Sequence, residues 1–154
     1  EQGRYLGHNG GETRNVHDQL HQIWRGLADE GVISEEIYKK GTVLNFYKSP
    51  EEFMTPLKDT NSAAYRNGLR LVDERTVYVK CPYRRRWNED GDTATFAAGL
   101  MATIRSWSRH SFASVAGDTI ADQVYDRLEQ RIAAAPDEWS LDYVEHHQMM
   151  EKVA

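Results

Sequence analysis

Two histidines one helical turn apart, His17 and His21, with Asp18 beside the first, form the most chemically suggestive spacing in the chain. On a helix such a pair can hold one metal ion, and the adjacent carboxylate can act as a base in metal-dependent hydrolysis. The zincin pattern places Glu where Asp18 stands, one methylene longer. A third ligand would have to come from His8, His110, His146, His147 or a carboxylate, and nothing in the sequence singles one out. A solvated or pocket-edge helix face explains the pair equally simply, and we assign no metal ligand from it. Other chemistry is sparse. There is no Gly-x-Gly-x-x-Gly and no phosphate loop, and the glycines from Gly7 to Gly11 read as a flexible turn. No Ser-His-Asp constellation is legible.

The second chemically mixed stretch is Asp92–Phe112. Phe96, Leu100, Thr103 and Trp107 recur at helical spacing, and Ile104 and Ser111 extend the same side. Asp92 is the expected N-cap. A helix that only packs a core would carry Leu or Val where Thr103, Arg105, Ser106 and Trp107 stand. That face is read either as a surface where Arg105 lies on an aromatic ring, or as the lining of a pocket.

The elements that must position these residues follow from periodicity and punctuation. Val16, Leu20, Ile23, Trp24 and Leu27 predict an amphipathic helix over Arg14–Glu30, stopped by Gly31. Ser34 starts a short helical turn that breaks at Lys39–Gly41. Thr42–Tyr47 reads as a strand or an extended connection. Ser49-Pro50-Glu51-Glu52 is a strong helix start, with the helix ending near Lys58. Asn61–Asn67 is a turn or short helix closed by Gly68. Leu69–Cys81 is the best strand, with a turn expected at Asp73-Glu74 and Pro82 as its end. Arg84, Arg85 and Arg86 read as a solvated turn, and Trp87–Asp92 as a polar loop. Ile120, Val124, Leu128 and Ile132 predict a helix over Thr119–Ala135, ended by Pro136. Leu141–Val153 suits strand or helix. Arg4–Leu6 reads as the end of a strand and His8–Thr13 as a loop.

Composition narrows the classes. The chain has 154 residues, 40% hydrophobic and 28% charged, enough to bury a core in one domain or a large piece of one. A net charge of −5 argues against a general nucleic-acid surface. A single cysteine, Cys81, gives no disulfide framework and is compatible with the cytoplasm. No apolar run approaches membrane-spanning length. The opening on Glu1 with four glycines by Gly11 is what the later portion of a longer protein, or a tagged or processed chain, would show.

Several short motifs, in order, resemble the C-terminal half of the SABATH-type S-adenosylmethionine-dependent carboxyl methyltransferases. They are Trp24, Leu27 and Glu30-Gly31-Val32-Ile33 with Glu35-Glu36, then Asn45-Phe46-Tyr47-Lys48-Ser49-Pro50-Glu51-Glu52-Phe53. Asp92, Phe96-Ala97, Ile104-Arg105-Ser106-Trp107-Ser108, Phe112 and Ile120-Ala121-Asp122 follow. The resemblance spans nearly the whole chain. It implies an α/β fold, or α+β for the piece alone, with a few mostly antiparallel strands under several helices. Residues 1–154 would hold the end of a Rossmann-like cofactor sheet plus a helical cap over the methyl acceptor. It implies S-adenosylmethionine as cofactor of the whole enzyme and a small carboxylic acid as acceptor. The glycine-rich cofactor turn and its acidic partner belong upstream, so this chain alone should not bind the cofactor tightly. Aligned on Glu30-Gly31, the resemblance places Val16 and His17 in the acceptor pocket, with His17 where plant members often carry an aromatic residue. Tyr47, Leu100 and Thr103 are the other implied positions, and Trp107 shares the mixed helix face. No catalytic side chain is implied, because a carboxylate is already a nucleophile near neutral pH. The other readings are a non-catalytic binding or dimerisation module and a hydrolase using His17 and His21. A piece separated from its other half should expose apolar strand residues, with Tyr5, Leu6, Val77, Val79, Tyr143 and Val144 as candidates, and hide them by forming a homo-oligomer.

Overall fold

The computed structural model describes residues 14–41, 43 and 48–153. In chain order its elements are α1 (Val16–Asp29), α2 (Glu35–Lys40), α3 (Pro50–Lys58), α4 (Ala63–Arg66), β1 (Leu69–Val79), α5 (Pro82–Asp90), α6 (Thr93–Ala116), α7 (Asp118–Ala134), one 3-10 turn (Pro136–Glu138) and β2 (Tyr143–Lys152). They fall into two compact units. One is helical, with α1, α2, α5, α6 and α7; the other is a ribbon, with α3, α4, β1 and β2. Helix thus dominates beside a two-stranded antiparallel sheet, a mixed α+β arrangement. No helix among the described residues is long and apolar enough to cross a membrane.

In the helical unit, α1 begins because the Asn15 side chain accepts from the backbone N–H groups of His17 and Asp18, at 2.9 and 3.3 Å. It buries the stripe the sequence predicts, from Val16 through Leu20, Ile23 and Trp24 to Leu27. Gly31, at φ 74°, takes the left-handed conformation that ends it. Ser34 then caps α2 by accepting from Ile37 N–H at 3.2 Å. The longest helices, α6 and α7, meet at Gly117 (φ 81°) and pack along their length. Leu100, Ile104, Val124, Leu128 and Ile132 are all fully buried there. Each contributes roughly 1.5–3 kcal/mol of apolar burial.

The buried stripe of α6 is rotated from the one the sequence suggests. It runs through Phe96, Leu100, Ile104, Ser108 and Phe112, so Thr103 and Trp107 sit at its edge. Ser108 is tolerated in the core because its hydroxyl donates to the Ile104 carbonyl at 2.7 Å and lies 2.8 Å from the Tyr125 hydroxyl.

The segment after Cys81 also differs from expectation. Pro82 does not merely end a strand. It occupies the first turn of α5, where its missing N–H costs nothing, and the Cys81 sulfur accepts from Arg84 N–H at 3.4 Å. The arginine run and Trp87 are therefore helical rather than a turn and a loop. Arg84 donates to the carbonyls of Pro136 and Trp139, at 2.6 and 3.2 Å, with its guanidinium over the Trp87 ring. Trp87 packs on Phe96, with ring centroids 5.6 Å apart.

In the ribbon unit, β1 and β2 pair from Leu69 opposite Lys152 to Val79 opposite Tyr143. The expected turn at Asp73-Glu74 is absent. The strand continues through it, and only a register irregularity between Leu71 and Asp73 marks the place. The tail that suited either helix or strand is β2, because β1 offers it a partner. Helix α3 opens with a complete capping box: Glu52 N–H donates to Ser49 Oγ at 3.2 Å, and Ser49 N–H donates to Glu52 Oε2 at 2.7 Å. Its Met54 is buried and accepts from Gln148 Nε2 at 3.2 Å, while Phe53 stacks on His146. Of the strand residues expected to be apolar and exposed, Tyr143 and Val144 are 41% and 54% exposed and Val77 and Val79 are half-buried. The Arg4–Leu6 strand with Tyr5 and Leu6, the His8–Thr13 loop and most of Thr42–Tyr47 lie outside the described residues.

Candidate functional site

A pocket of about 300 Å³ opens in the helical unit. That places it at the small end of the range for small-molecule sites, roughly 300–1,000 Å³. Its polar wall comes from α1 and α2: His17, Asp18 and His21 on the first, Tyr38 and Lys39 on the second. Leu20, Trp24, Val43 and Phe112 make the apolar wall.

The local sequence explains why these side chains converge. His17, His21 and Trp24 follow one another at spacings of four and three on α1, so they line one flank of the helix. Trp24 is 2% exposed. Its indole N–H donates to the Tyr38 carbonyl at 3.0 Å, tying α1 to α2, and its ring packs on Phe112 with centroids 4.9 Å apart. Gly41 lies against the same Nε1 edge of that indole. A Cβ there would stand 2.4 Å from the Trp24 ring, so only glycine lets the backbone close the pocket at that point.

The two histidines sit in different surroundings. His17 is half-buried against the exposed edge of α6, its ring 5.2 Å from that of Trp107. Burial lowers its pKa from the ordinary 6.5, and the neighbouring Asp18 carboxylate opposes that shift in part. The imidazole is thus held toward its neutral form, which offers one N–H donor and one acceptor. His21 is more exposed, with Nε2 3.4 Å from the Tyr38 hydroxyl and its ring 5.9 Å from that of Tyr38. Lys39 reaches the pocket with its ammonium 3.9 Å from Glu35 and its side chain 71% exposed.

Of the residues the sequence pointed to, His17 lines this pocket and Trp107 buttresses it from outside. Val16 is turned into the core at 9% exposure, and Leu100 is fully buried. Thr103 donates to the Gly99 carbonyl at 3.2 Å and lies 3.1 Å from the Tyr83 hydroxyl. These three do not line it. Tyr47 lies outside the described residues. Sequence reasoning missed Trp24, Tyr38, Lys39 and Phe112 as pocket residues. Trp24 and Phe112 look like ordinary core positions, and only the position of α2 brings Tyr38 and the exposed Lys39 to the pocket's rim. Although His17 and His21 do share the wall, no group of three His, Cys, Asp or Glu side chains placed to hold a metal ion occurs among the described residues.

What the arrangement can do is bind. It offers an apolar floor in which Trp24 and Phe112 are each only 2% exposed, and a more open polar rim with the side chains of His17, His21 and Lys39. No protein-family model matches this sequence, and comparison with curated proteins gives no match.

Proposed function

We propose that the helical unit is the acceptor-binding part of an S-adenosylmethionine-dependent carboxyl methyltransferase acting on a small, partly apolar acid. The observation that carries this reading is the pocket itself, with an aromatic wall of Trp24 and Phe112 facing donors on α1 and α2. His17, which the family resemblance assigns to the acceptor site, stands on the polar wall of this pocket. The chemistry asks little of side chains. A methyl donor, were one bound, would supply the electrophilic carbon, and a carboxylate is already ionised near neutral pH, so no protein group would have to move a proton. Positioning and exclusion of water are what a protein must supply. The described residues include no glycine-rich turn followed by an acid that would grip the cofactor ribose, so they do not fit that group and no step through it is assigned to them.

The experiment is an NMR titration of the chain with benzoate. Shifts confined to the indole N–H of Trp24 and the ring protons of His17 and His21 are expected. A spectrum unchanged by benzoate and by an aliphatic acid of similar size, such as 4-methylpentanoate, would overturn the reading.

A further inference from the structure

We infer that β2 is a dimerisation edge: it pairs antiparallel with β2 of a second copy about a two-fold axis at His146, making one four-stranded sheet in the order β1-β2-β2-β1. This stands apart from what the helical unit binds. Among the described residues the sheet has two strands only, so each keeps one edge open. A two-stranded ribbon is marginally stable alone, and an open edge is a template for another chain.

The two edges are not equivalent. The β1 strand is blunted in the ways edge strands usually are. Its pairing is broken by the irregularity between Leu71 and Asp73, it carries the consecutive charges Asp73-Glu74-Arg75, and α3 and α4 pack on it. By contrast, β2 pairs without a break from Tyr143 to Met149. Over that stretch it has one carboxylate, Glu145, and no lysine or arginine, and it exposes Tyr143 (41%), Val144 (54%) and Met149 (61%).

This stretch is self-complementary in one register. Residues opposite each other in an antiparallel pair share a face, and a two-fold axis normal to the sheet passes between identical residues. With the axis at His146, Glu145 faces His147 of the second copy, Tyr143 faces Met149, and Val144 faces Gln148, each pair occurring twice. Acid then meets imidazole, and ring meets thioether. Glu145 and His147 already bond within one chain, Oε2 to Nε2 at 2.8 Å, so the pairing joins two such bonds into one cluster on one face. On the other face lies α3, with Phe53 stacked on His146 and Met54 accepting from Gln148. Other registers match poorly. An axis at Glu145 sets two carboxylates opposite each other. One at His147 sets Glu145 against Met149 and Tyr143 against Glu151, and one at Gln148 sets Glu145 against Glu151.

The test mixes chains carrying isotope-labelled methionine methyl groups with unlabelled chains and records the NOEs that pass between the two. A signal from the Met149 methyl to the Tyr143 ring is expected. Along one strand those residues lie about 20 Å apart, so it can arise only between copies. Light scattering at high concentration should give a dimer. Met149→Lys places an exposed lysine opposite Asp73 of its own chain, which spares the ribbon. It should weaken the dimer about tenfold or more, because the axis counts the lost cross-strand pair twice. Val72→Lys, a comparably exposed change on β1, should leave the dimer as it was. A monomer at high concentration, a dimer without that NOE, or one that Met149→Lys weakens no more than Val72→Lys does, would overturn the inference.

Discussion

Replacing Gly41 by alanine probes the contact on which the pocket depends. The substitution is conformationally harmless, since Gly41 sits at φ −85° and alanine would gain about 0.4–1 kcal/mol from a stiffer unfolded chain. Space decides the sign. The new Cβ would stand 2.4, 2.6 and 2.7 Å from three atoms of the Trp24 indole. That ring cannot retreat, being 2% exposed, packed against Phe112 and bonded to the Tyr38 carbonyl. Overpacking costs about 1–3 kcal/mol, and losing the indole hydrogen bond adds about 1. The net expectation is a destabilisation of roughly 2–3 kcal/mol, which for a chain of this size lowers the melting temperature by about 4–12 °C. Gly26 is the control. It lies inside α1, and its Cβ would meet only Glu30 Oε1 at 3.9 Å, so Gly26→Ala should stabilise by about 0.5–1 kcal/mol. Thermal unfolding followed by tryptophan fluorescence reads both. A Gly41→Ala chain that melts with the unaltered protein and binds benzoate as well would refute the proposed closure of the pocket against Trp24.

Three further outcomes are expected. Ser49→Ala removes one arm of the α3 capping box and should cost about 1 kcal/mol, seen as faster hydrogen exchange in the first turn of α3; unchanged exchange would mean that the box contributes nothing. Because burial lowers the His17 pKa, the unfolded chain takes up that proton first, so this contribution to stability is intact above pH 6.5 and is lost as pH falls below it. Urea midpoints at pH 7.5 and 5.5 should therefore diverge more for the unaltered chain than for His17→Phe, and equal divergence would contradict the assignment. The exposed Tyr143 and Val144 on β2 lead us to expect self-association through the ribbon, and light scattering that reports a monomer at high concentration would exclude it.

How much of this was legible in the sequence depends on whether the deciding forces are local. The starts of α2 and α3 were readable because Ser34 and Ser49 bond to amides three residues on, whereas the reading began α1 at Arg14, one residue before its Asn15 cap. The α1 stripe and α7 were readable because their burial follows helical periodicity. Helix α5 was hidden, since Pro82 serves both as a strand stop and as a helix start, and Arg84 is drawn inward by carbonyls of Pro136 and Trp139 more than fifty residues away. The tail was ambiguous for a similar reason, as only the pairing with β1 makes Tyr143–Lys152 a strand. In the pocket, His17 and His21 stood out through their spacing. Lys39 and Tyr38 did not, because their place is set by the Trp24 hydrogen bond that anchors α2 to α1.

The central claim is that this pocket presents an acid for methylation. The most direct measurement joins this chain to an upstream cofactor-binding half and supplies S-adenosylmethionine labelled on the transferred methyl group together with benzoate. The account predicts acid-dependent labelled methyl ester that falls sharply in Gly41→Ala, where the Trp24 wall is displaced. It also predicts that the 154-residue chain alone forms no ester while still binding the acid. No ester from the joined protein with any small carboxylic acid, or ester formation indifferent to Gly41→Ala, would contradict it.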